Sequence, residues 1–532
     1  MRAETTGDAG EFSPTERALL NRYCTNVDRR VFALRNLPEV VKGALFSRYS
    51  RTEKSLRRVL LDEFLNEPSA GIAPDSGGPD ELVVVARGED FYQRVLVGYG
   101  DDSVAELAGA HIAVEQVSTL AAKALEDSRI GISPLEKSTR YVRFDRRGAD
   151  GRFPYHRSPE LAHPAYEPAM DALFASYSET VMPLTNRVRE EHPMDRGETE
   201  RAWKTATRAK ALDLLRGLLP AATLTNLGLH GNGRAFEYLL TKLAASELPE
   251  CRQLSGEMHA ELAQVIPAFV RRALDDRYGA PAVRYIAEAR RRVAELAPRG
   301  ECSPPEPAQV RLVDFDTDAE SRVVAAALFP HTDLPLAELR ELHLDVDSVL
   351  TALMGERGNR RHRAPRALEH AHYTFEITAN FGAYRDLQRH RMLTQQRQPL
   401  GTALGYDVPA DLAQYGMEGP FRRAIEHAAR AHRALENALG PALAQYAVPL
   451  AFRLRWYFHA SLREVYHLCE LRSSPEGHPD YRHVAQQMFR RVAEVHPRLA
   501  SHARFVDLGP GGELERRASE RRIDQKLAEL DA

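Results

Sequence analysis

The sequence predicts an α/β protein that is richer in helix than in strand and that contains one fold twice. Two observations predict the fold class: long segments have apolar residues at helical spacing, and short apolar runs suited to strands lie elsewhere in the chain. A third observation predicts the duplication, because two blocks of similar residues recur in the same order along the 532-residue chain.

Helical patterning dominates both halves of the chain. Residues 103–127 are rich in alanine and carry apolar residues at helical spacing, which predicts a helix. Residues 364–392 are similar and predict two helical pieces. Residues 82–86 (LVVVA) and 311–315 are short strand candidates.

The duplication rests on two blocks of matching residues. The pattern Ala-His-x-x-x-Glu occurs at residues 110–115 and again at 371–376, an offset of 261. Further on, Pro220, Asn232 and Arg234 fall on Pro449, Ser461 and Arg463, an offset of 229. The second copy is therefore 32 residues shorter between its two blocks. The alternative to duplication is a pair of unrelated helical domains.

A proline-rich segment divides the chain between the two sets of blocks. Residues 297–307 (APRGECSPPEP) are rich in proline, and Pro304, Pro305 and Pro307 cannot continue a helix. We expect a first domain over residues 1–300, a linker over 301–310 and a second domain over 311–532. Residues 68–79, rich in Gly, Pro and Ser, are expected to form a loop within the first domain.

Composition favours a cytoplasmic protein with neither a nucleic-acid nor a membrane partner. Lys and Arg total 72 against 75 Asp and Glu, a net charge of -3, so a strongly basic nucleic-acid-binding surface is not indicated. Residues 1–10 are polar, unlike a signal peptide, and no apolar run approaches the ~20 residues needed to span a bilayer. The four cysteines are widely separated, which argues against a zinc ribbon or a disulfide framework.

Arg389-His390-Arg391, preceded by Arg385, is the sharpest local motif. On a helix Arg385 and Arg389 share a face one turn apart, where their guanidinium groups can bind phosphate through paired hydrogen bonds. A histidine between them can donate to an anion or to the edge of a flavin. The alternative is a solvated basic face paired with Asp386.

A second motif, Glu136-Lys-Ser138-Thr-Arg140-Tyr141, follows Ser133-Pro134 in the first half. Its position after a proline predicts a turn or an extended segment. Glu136, Ser138 and Arg140 at alternate positions point to one side of an extended segment, where they can bind a sugar hydroxyl, a base carbonyl and a phosphate. The alternative is a polar edge strand.

The two motifs together resemble those of the flavin-dependent thymidylate synthase, or thymidylate synthase complementing protein, family. That family carries Arg-His-Arg, then seven residues, then Ser-x-Arg. The second half keeps the front of this signature and has Pro399 and Gly401 where Ser and Arg are expected. The first half keeps the back and has Ser128-Arg129-Ile130 where Arg-His-Arg is expected. Each copy keeps the part that the other has lost.

Other segments extend the resemblance over about residues 44–260 and 350–500. Residues 100–106 (GDDSVAE) are similar to the family loop that leads into the first core helix and touches the flavin. Late in each half comes the family's Asn-x-Arg, kept as Asn232-x-Arg234 and altered to Ser461-x-Arg463. Nine residues after that Arg the family has a nucleotide-binding Arg, which is Arg472 in the second half and Leu243 in the first.

The resemblance implies two sets of site residues. The nucleotide would contact Glu136, Ser138, Arg140, Arg389 and Arg472. FAD would contact Ser50, Ser103, Glu106, Asn232, Arg234, Glu369, His390, Arg391 and Arg463. No catalytic cysteine is expected, since none of the four cysteines follows a proline as in the other thymidylate synthase class. No metal is expected, because His467, His478 and His483 are irregularly spaced.

The implied fold is two copies of the thymidylate-synthase-complementing (α+β) fold, each a mainly antiparallel sheet with packed helices. The implied reaction is reductive methylation of dUMP to dTMP, with FAD as cofactor and NADPH and methylenetetrahydrofolate as co-substrates. A homodimer would mimic the family's tetramer, and the two copies would complete one composite type of site. Two alternatives remain: a flavoenzyme acting on another pyrimidine nucleotide, and a catalytically inactive nucleotide- or flavin-binding scaffold.

Overall fold

The computed structural model describes residues 12–29, 31–37, 39–49, 52–65, 106–128, 130–298, 300, 309–512, 514 and 516–530. The strand expected at residues 82–86 and the loop at 68–79 lie outside these residues. Within them, no helix is both long enough and apolar enough to cross a membrane. Cys24, Cys251 and Cys469 are buried free thiols.

Seven strands and twenty-one α-helices cover most of the described chain. The strands are β1 Gly109–Ser118, β2 Ile132–Glu136, β3 Leu224–Asn232, β4 Gln309–Phe315, β5 His372–Asn380, β6 Leu393–Arg397 and β7 Arg453–Ser461. The helices of the first half are α1 Pro14–Tyr23, α2 Glu39–Tyr49, α3 Leu56–Val59, α4 Thr119–Glu126, α5 Tyr166–Glu191, α6 Glu200–Leu215, α7 Gly233–Ala244, α8 Pro249–Val265, α9 Pro267–Val270 and α10 Gly279–Leu296. Those of the second half are α11 Ala319–Leu328, α12 Leu336–Glu341, α13 Val346–Met354, α14 Phe381–Leu387, α15 Asp411–Gln414, α16 Glu418–Leu439, α17 Pro441–Ala444, α18 Leu462–Arg472, α19 Pro479–Val495, α20 Pro497–Ala500 and α21 Arg517–Leu530.

Short 3₁₀ turns and one π-helical segment join these elements. The 3₁₀ turns are Pro159–Leu161, Arg216–Leu218, Arg271–Ala273, Phe329–His331, Arg366–His370 and Gln445–Ala447, and the π-helical segment is Leu60–Leu65.

The chain divides into two compact units that do not follow its two halves. Unit 1 contains Met1–Val114, Ile130–Leu135 and Leu227–Pro298, and it includes most of each strand of the three-stranded sheet, whose order is β1-β3-β2. Unit 2 contains Glu115–Arg129, Glu136–Asn226 and Arg299–Ala532, and its four-stranded sheet has the order β4-β5-β7-β6. Much of the first half thus lies in the same unit as the second half.

The four-stranded sheet of unit 2 is antiparallel throughout. β4 pairs with β5, β5 with β7, and β7 with β6. Along β5, Tyr373, Phe375 and Ile377 are fully buried, while the residues between them are partly exposed. Phe375 lies opposite Phe458 of β7, which is also fully buried. The core of the unit therefore lies against one face of this sheet, as its period-two burial pattern requires.

The prediction of a helix over residues 103–127 is wrong for residues 109–118. Residues 109–118 form β1, and the helix is confined to Thr119–Glu126. Ala110 and Val114 are buried while His111 and Glu115 are exposed, which is a strand pattern. Gln116, at φ 57, interrupts the alternation. Pairing in the sheet overrides the helical propensity of the alanines.

The prediction of two helical pieces over residues 364–392 is also wrong, because a strand lies within this segment. A 3₁₀ turn at Arg366–His370 is followed by strand β5 and only then by helix α14. The sequence His-Tyr-Thr-Phe-Glu-Ile-Thr alternates polar and apolar residues and so contained the strand signal. The strand expected at residues 311–315 is confirmed as part of β4.

The order of elements confirms the duplication. β1, α4 and β2 are followed along the first half by β3 and α7, as β5, α14 and β6 are followed by β7 and α18 in the second. β2 and β6 keep the offset of 261 residues, and β3 and β7 keep the offset of 229. The corresponding strands also share one sheet order, β1-β3-β2 and β5-β7-β6. Between the blocks, the 16-residue α6 stands where the second half has the four-residue α17.

Phe375→Ala is expected to lower the free energy of unfolding by about 3–5 kcal/mol, because it leaves a cavity at the centre of a fully buried sheet face. Urea unfolding followed by circular dichroism measures this change. The matched control is Glu376→Gln, the next residue of β5, whose side chain is partly exposed. A loss below 1 kcal/mol for Phe375→Ala would contradict the assigned core.

Candidate functional site

The predicted nucleotide residues of both halves lie in unit 2. Glu136 is the last residue of β2, and Ser138 and Arg140 follow it where the chain turns. Arg389 follows helix α14, and Arg472 ends helix α18. The C-terminal ends of two helices and the end of one strand therefore supply the five residues.

Glu136 is held by three cationic side chains. Its carboxylate accepts hydrogen bonds from Lys123 Nζ (2.9 Å), Arg385 Nη2 (2.7 Å) and Arg389 Nη2 (3.1 Å). Burial by itself would raise the pKa of Glu136, but the charges of Arg385, Lys123 and Arg389 outweigh it and lower the pKa to about 2. Glu136 is thus ionised and joins the first-half segment to α14.

Lys123 is fully buried on α4, whose other buried residues are mostly leucine and alanine. It pairs with Glu126 of the same helix as well as with Glu136. Its backbone carbonyl accepts a hydrogen bond from Gln388 Nε2 at 2.9 Å. A buried ammonium group requires such partners, so these contacts fix α4 beside the segment that carries Arg389.

Arg140 is buried and fixed through its guanidinium group. It binds both carboxylate oxygens of Asp213, at 2.8 Å from Nε and 2.6 Å from Nη2, and donates from Nη1 to the hydroxyl of Tyr481 at 3.0 Å. Burial opposes the charge of Arg140, yet the adjacent Asp213 carboxylate raises its pKa. Ser138 Oγ accepts a hydrogen bond from the Arg140 backbone N–H at 3.2 Å, so Ser138 shapes the turn that presents Arg140.

Asp386 lies where the arginines of both halves converge. Its carboxylate pairs with Arg216 Nη1 at 2.9 Å. Burial would raise the pKa of Asp386, but four nearby guanidinium charges hold it well below its usual range. Those charges belong to Arg216, Arg140, Arg472 and Arg389.

Arg472 completes this group from α18. Its Nε donates to His390 Nε2 at 3.1 Å, and its guanidinium carbon lies 5.6 Å from the centre of the Tyr481 ring. The guanidinium carbon of Arg140 lies 5.7 Å from the same ring. Tyr481 therefore lies beside two arginines that come from different halves of the chain.

The charges of the cluster do not balance. Six cationic side chains, Lys123, Arg140, Arg216, Arg385, Arg389 and Arg472, stand against four carboxylates, Glu126, Glu136, Asp213 and Asp386. The Arg389 side chain is one-third exposed, and Arg472 is partly exposed. Partly exposed guanidinium groups in such surroundings suit a phosphate group.

The predicted FAD residues lie in both units. In unit 1, Asn232 caps helix α7 by accepting from Ala235 N–H at 2.8 Å, and Arg234 pairs with Glu106 at 2.9 Å. Ser50 and Ser103 lie outside the described residues.

In unit 2, the other four predicted FAD residues lie around helix α18. Arg463 pairs with Glu369 at 2.5 Å and donates to the Ala364 carbonyl. His390 is buried against Glu464, and Arg391 is exposed. Glu106–Arg234 and Glu369–Arg463 are corresponding ion pairs, each joining a residue just before a strand to the first turn of a helix.

The sequence did not identify Lys123, Asp213 and Tyr481 as members of the site. It also did not show that Asp386 lies near several arginines. Lys123 and Asp213 had a signal, because each is a charge within a helical segment of buried apolar residues. A buried charge at such a position needs a partner. Tyr481 stands in a polar stretch and gave no signal, since only the tertiary structure brings it to Arg140.

Glu136→Gln is expected to lower the free energy of unfolding by about 3–5 kcal/mol, because it leaves buried Lys123 and Arg385 without their shared anion. Urea unfolding at neutral pH measures the change, and Glu418→Gln, which removes an exposed pair with Arg422, is the control. The wild-type contribution is present above about pH 4.3, the unfolded value, and is lost as the pH falls toward 2. Equal effects of the two substitutions would contradict the buried network.

Comparison with known proteins gives two matches to one family model. The model described as "Thymidylate synthase complementing protein" matches residues 66–268 and again 311–498, one on each side of the proline-rich segment. A UPF0159 protein of Chlamydia muridarum is 46% identical over 510 residues, covering 94% of this chain and 96% of the relative. A UPF0159 protein of Thermoplasma acidophilum is 33% identical over 501 residues, which cover 88% of this chain and 95% of the relative.

A shorter relative carries a functional name. The flavin-dependent thymidylate synthase of Geobacter sulfurreducens is 30% identical over 212 residues, which cover 38% of this chain and 88% of that protein. Both matched regions contain residues of the arginine cluster, Arg140 in the first and Arg389 and Arg472 in the second. This chain belongs to the thymidylate synthase complementing protein family and carries the family's domain twice.

Proposed function

We propose that this protein is an FAD-dependent thymidylate synthase, which converts dUMP to dTMP with methylenetetrahydrofolate and NADPH. One observation carries the proposal: Arg140 of the first half and Arg472 of the second lie beside the same Tyr481 ring, and the charges of both, with that of Arg389, lower the pKa of Asp386. Membership of the family, and a relative named as a flavin-dependent thymidylate synthase, support the same reaction.

The nucleotide phosphate is assigned to Arg389 and Arg472. Both guanidinium groups are partly exposed, and neither is paired to a carboxylate through both of its terminal nitrogens. Arg140 has its donors engaged by Asp213, Tyr481 and the Glu476 carbonyl. Arg140 therefore holds Tyr481 in place beside the nucleotide, and Glu136 orients Arg389.

The residues around α18 fit the diphosphate of FAD. Arg463 pairs with Glu369 at 2.5 Å, and Arg391 is exposed next to the buried His390 in the chain. Guanidinium groups suit a diphosphate because they bind phosphate oxygens through charge-assisted hydrogen bonds. FAD, when bound, supplies the hydride transfer of the reaction.

The described cysteines support a route without a protein thiol. Cys24, Cys251 and Cys469 are buried, and burial raises the pKa of the Cys24 and Cys469 thiols. A thiol in such surroundings is not the thiolate that a nucleophile must be. The reaction is accordingly assigned to the cofactor.

The two copies are proposed to form one composite type of site rather than one site each. The first copy has Ser128 at the position of Arg389, and the second has lost the counterparts of Ser138 and Arg140. A homodimer is proposed as the assembly, since closed twofold symmetry is the commonest way in which such chains associate.

The purified protein, saturated with FAD, is expected to show the visible absorbance of bound oxidised flavin and to lose it when NADPH is added. Added dUMP and methylenetetrahydrofolate should then yield dTMP, measured by chromatography. Flavin binding without dTMP, but with methylation of another pyrimidine nucleotide, would identify the alternative substrate. Absence of FAD binding at tens of micromolar would contradict the enzyme and favour the scaffold.

Arg389→Ala and Arg140→Ala are each expected to weaken dUMP binding by roughly 2–5 kcal/mol, because the first removes a phosphate-binding guanidinium group and the second removes the buried cation that holds Tyr481. Their combination should cost less than the sum, since residues of one network are not additive. Calorimetry measures the dissociation constants, and Arg422→Ala, at an exposed ion pair, is the control. Thermal melts identify any variant that fails to fold. Full additivity in folded variants would contradict a shared site.

A further inference from the structure

His390 lies between two partners that together determine which of its nitrogens carries the proton. Nε2 lies 3.1 Å from Arg472 Nε, and Nδ1 lies 2.8 Å from Glu464 Oε1. The Nε–H of an arginine can only donate, so Nε2 must be the acceptor. The proton of the neutral imidazole is then on Nδ1, from which it is donated to Glu464.

We propose that Glu464 is a positioning residue for nucleotide binding: by accepting the Nδ1 proton of His390, it keeps Nε2 free to hold Arg472. The inference rests on the proposed function, in which Arg472 binds the nucleotide phosphate. Glu464 is buried in the first turn of α18, and Arg472 ends the same helix. His390, from the segment after α14, thus connects the two ends of α18.

Glu464, His390 and His467 also have the composition of a metal site. Their potential ligand atoms lie within 4.8 Å of one another, and Glu464 and His467 are three residues apart on one helix. A metal bound to Nδ1 of His390 would require the ring proton on Nε2, where it would oppose the N–H of Arg472. Several cations surround the three residues, including Arg472, Arg463 and Arg360. These contacts favour a hydrogen-bonded chain over a metal centre.

Protonation of Glu464 is expected to release Arg472. Burial raises the pKa of Glu464 to about 7, against the opposing charges of His467 and Arg463. Burial and then the charge of Arg472 hold the pKa of His390 well below its usual value, so His390 stays neutral. A protonated Glu464 can donate to Nδ1, which places the ring proton on Nε2 against Arg472. The arrangement that holds Arg472 is therefore present above about pH 7 and lost as the pH falls through it.

Two substitutions separate the parts of this mechanism. Glu464→Gln keeps an oxygen that can accept from Nδ1 but removes the titratable charge. Glu464→Leu removes the acceptor altogether. Histidine-selective ¹⁵N labelling reports the tautomer of His390 through long-range ¹H–¹⁵N correlations, with His390→Gln to assign its signals. Calorimetry with dUMP over about pH 6 to 8 reports binding in each variant.

The wild type is expected to show the Nδ1–H tautomer and tighter dUMP binding with rising pH. Glu464→Gln should keep the tautomer and lose the part of the pH dependence that does not come from the titration of dUMP itself. Glu464→Leu should mix the tautomers and raise the dissociation constant about tenfold, the effect of one lost hydrogen bond to a charged group. A merely structural role would change neither the tautomer nor the pH profile.

Three results would overturn the inference. These are an Nε2–H tautomer in the wild type, an unchanged dissociation constant in Glu464→Leu, or stoichiometric Zn²⁺ binding that is lost in Glu464→Gln. Failure of the proposed function is distinguishable, because a wild type that binds no dUMP can still show the Nδ1–H tautomer. In that case the link to nucleotide binding is overturned, and the tautomer in Glu464→Leu decides whether Glu464 positions His390.

Discussion

The buried carboxylate of Glu136 is the interaction on which the candidate site depends. It is fully enclosed and accepts hydrogen bonds from Lys123, Arg385 and Arg389. An isolated buried charge of either sign is costly, whereas a carboxylate that satisfies several cations lets all of them remain buried. Removing any one partner leaves the others uncompensated, so the pairing determines where the end of β2, helix α4 and helix α14 meet.

The same constraint explains why the arginines are arranged as they are. Arg140 is held by both oxygens of Asp213, and Arg216 by Asp386. These pairs neutralise the cations that lie deepest, and leave Arg389 and Arg472 as the partly exposed guanidinium groups. A site built in this way offers a fixed positive surface to a phosphate without requiring the arginines to reorganise on binding, which lowers the entropic cost.

The two copies differ at the positions of the arginine cluster, which unit 2 assembles from residues of both halves. Glu136, Lys123, Arg140 and Asp213 of the first half pack with Arg385, Asp386, Arg389 and Arg472 of the second. The first copy has uncharged residues at two of the corresponding positions. Ser128 stands at the position of Arg389, and Leu243 stands at the position of Arg472. The charge network needs each of its residues from one copy only. The equivalent residue in the other copy can therefore be replaced without leaving a buried charge unpaired.

The sequence by itself determined the duplication, the α/β class, the family and the residue types of the site, because motifs and their offsets are local and survive in the order of residues. It misjudged β1 and β5. Alanine-rich composition favoured a helix at β1, whereas β5 carried a strand alternation within a segment interpreted as helical; pairing with β3 and β7 decides both strands. The tertiary structure alone decided that Glu136 faces three cations, that Asp213 and Tyr481 hold Arg140, and that Glu464 reaches His390. Such contacts join residues up to several hundred positions apart, and which buried charge finds which partner depends on packing that no local pattern encodes.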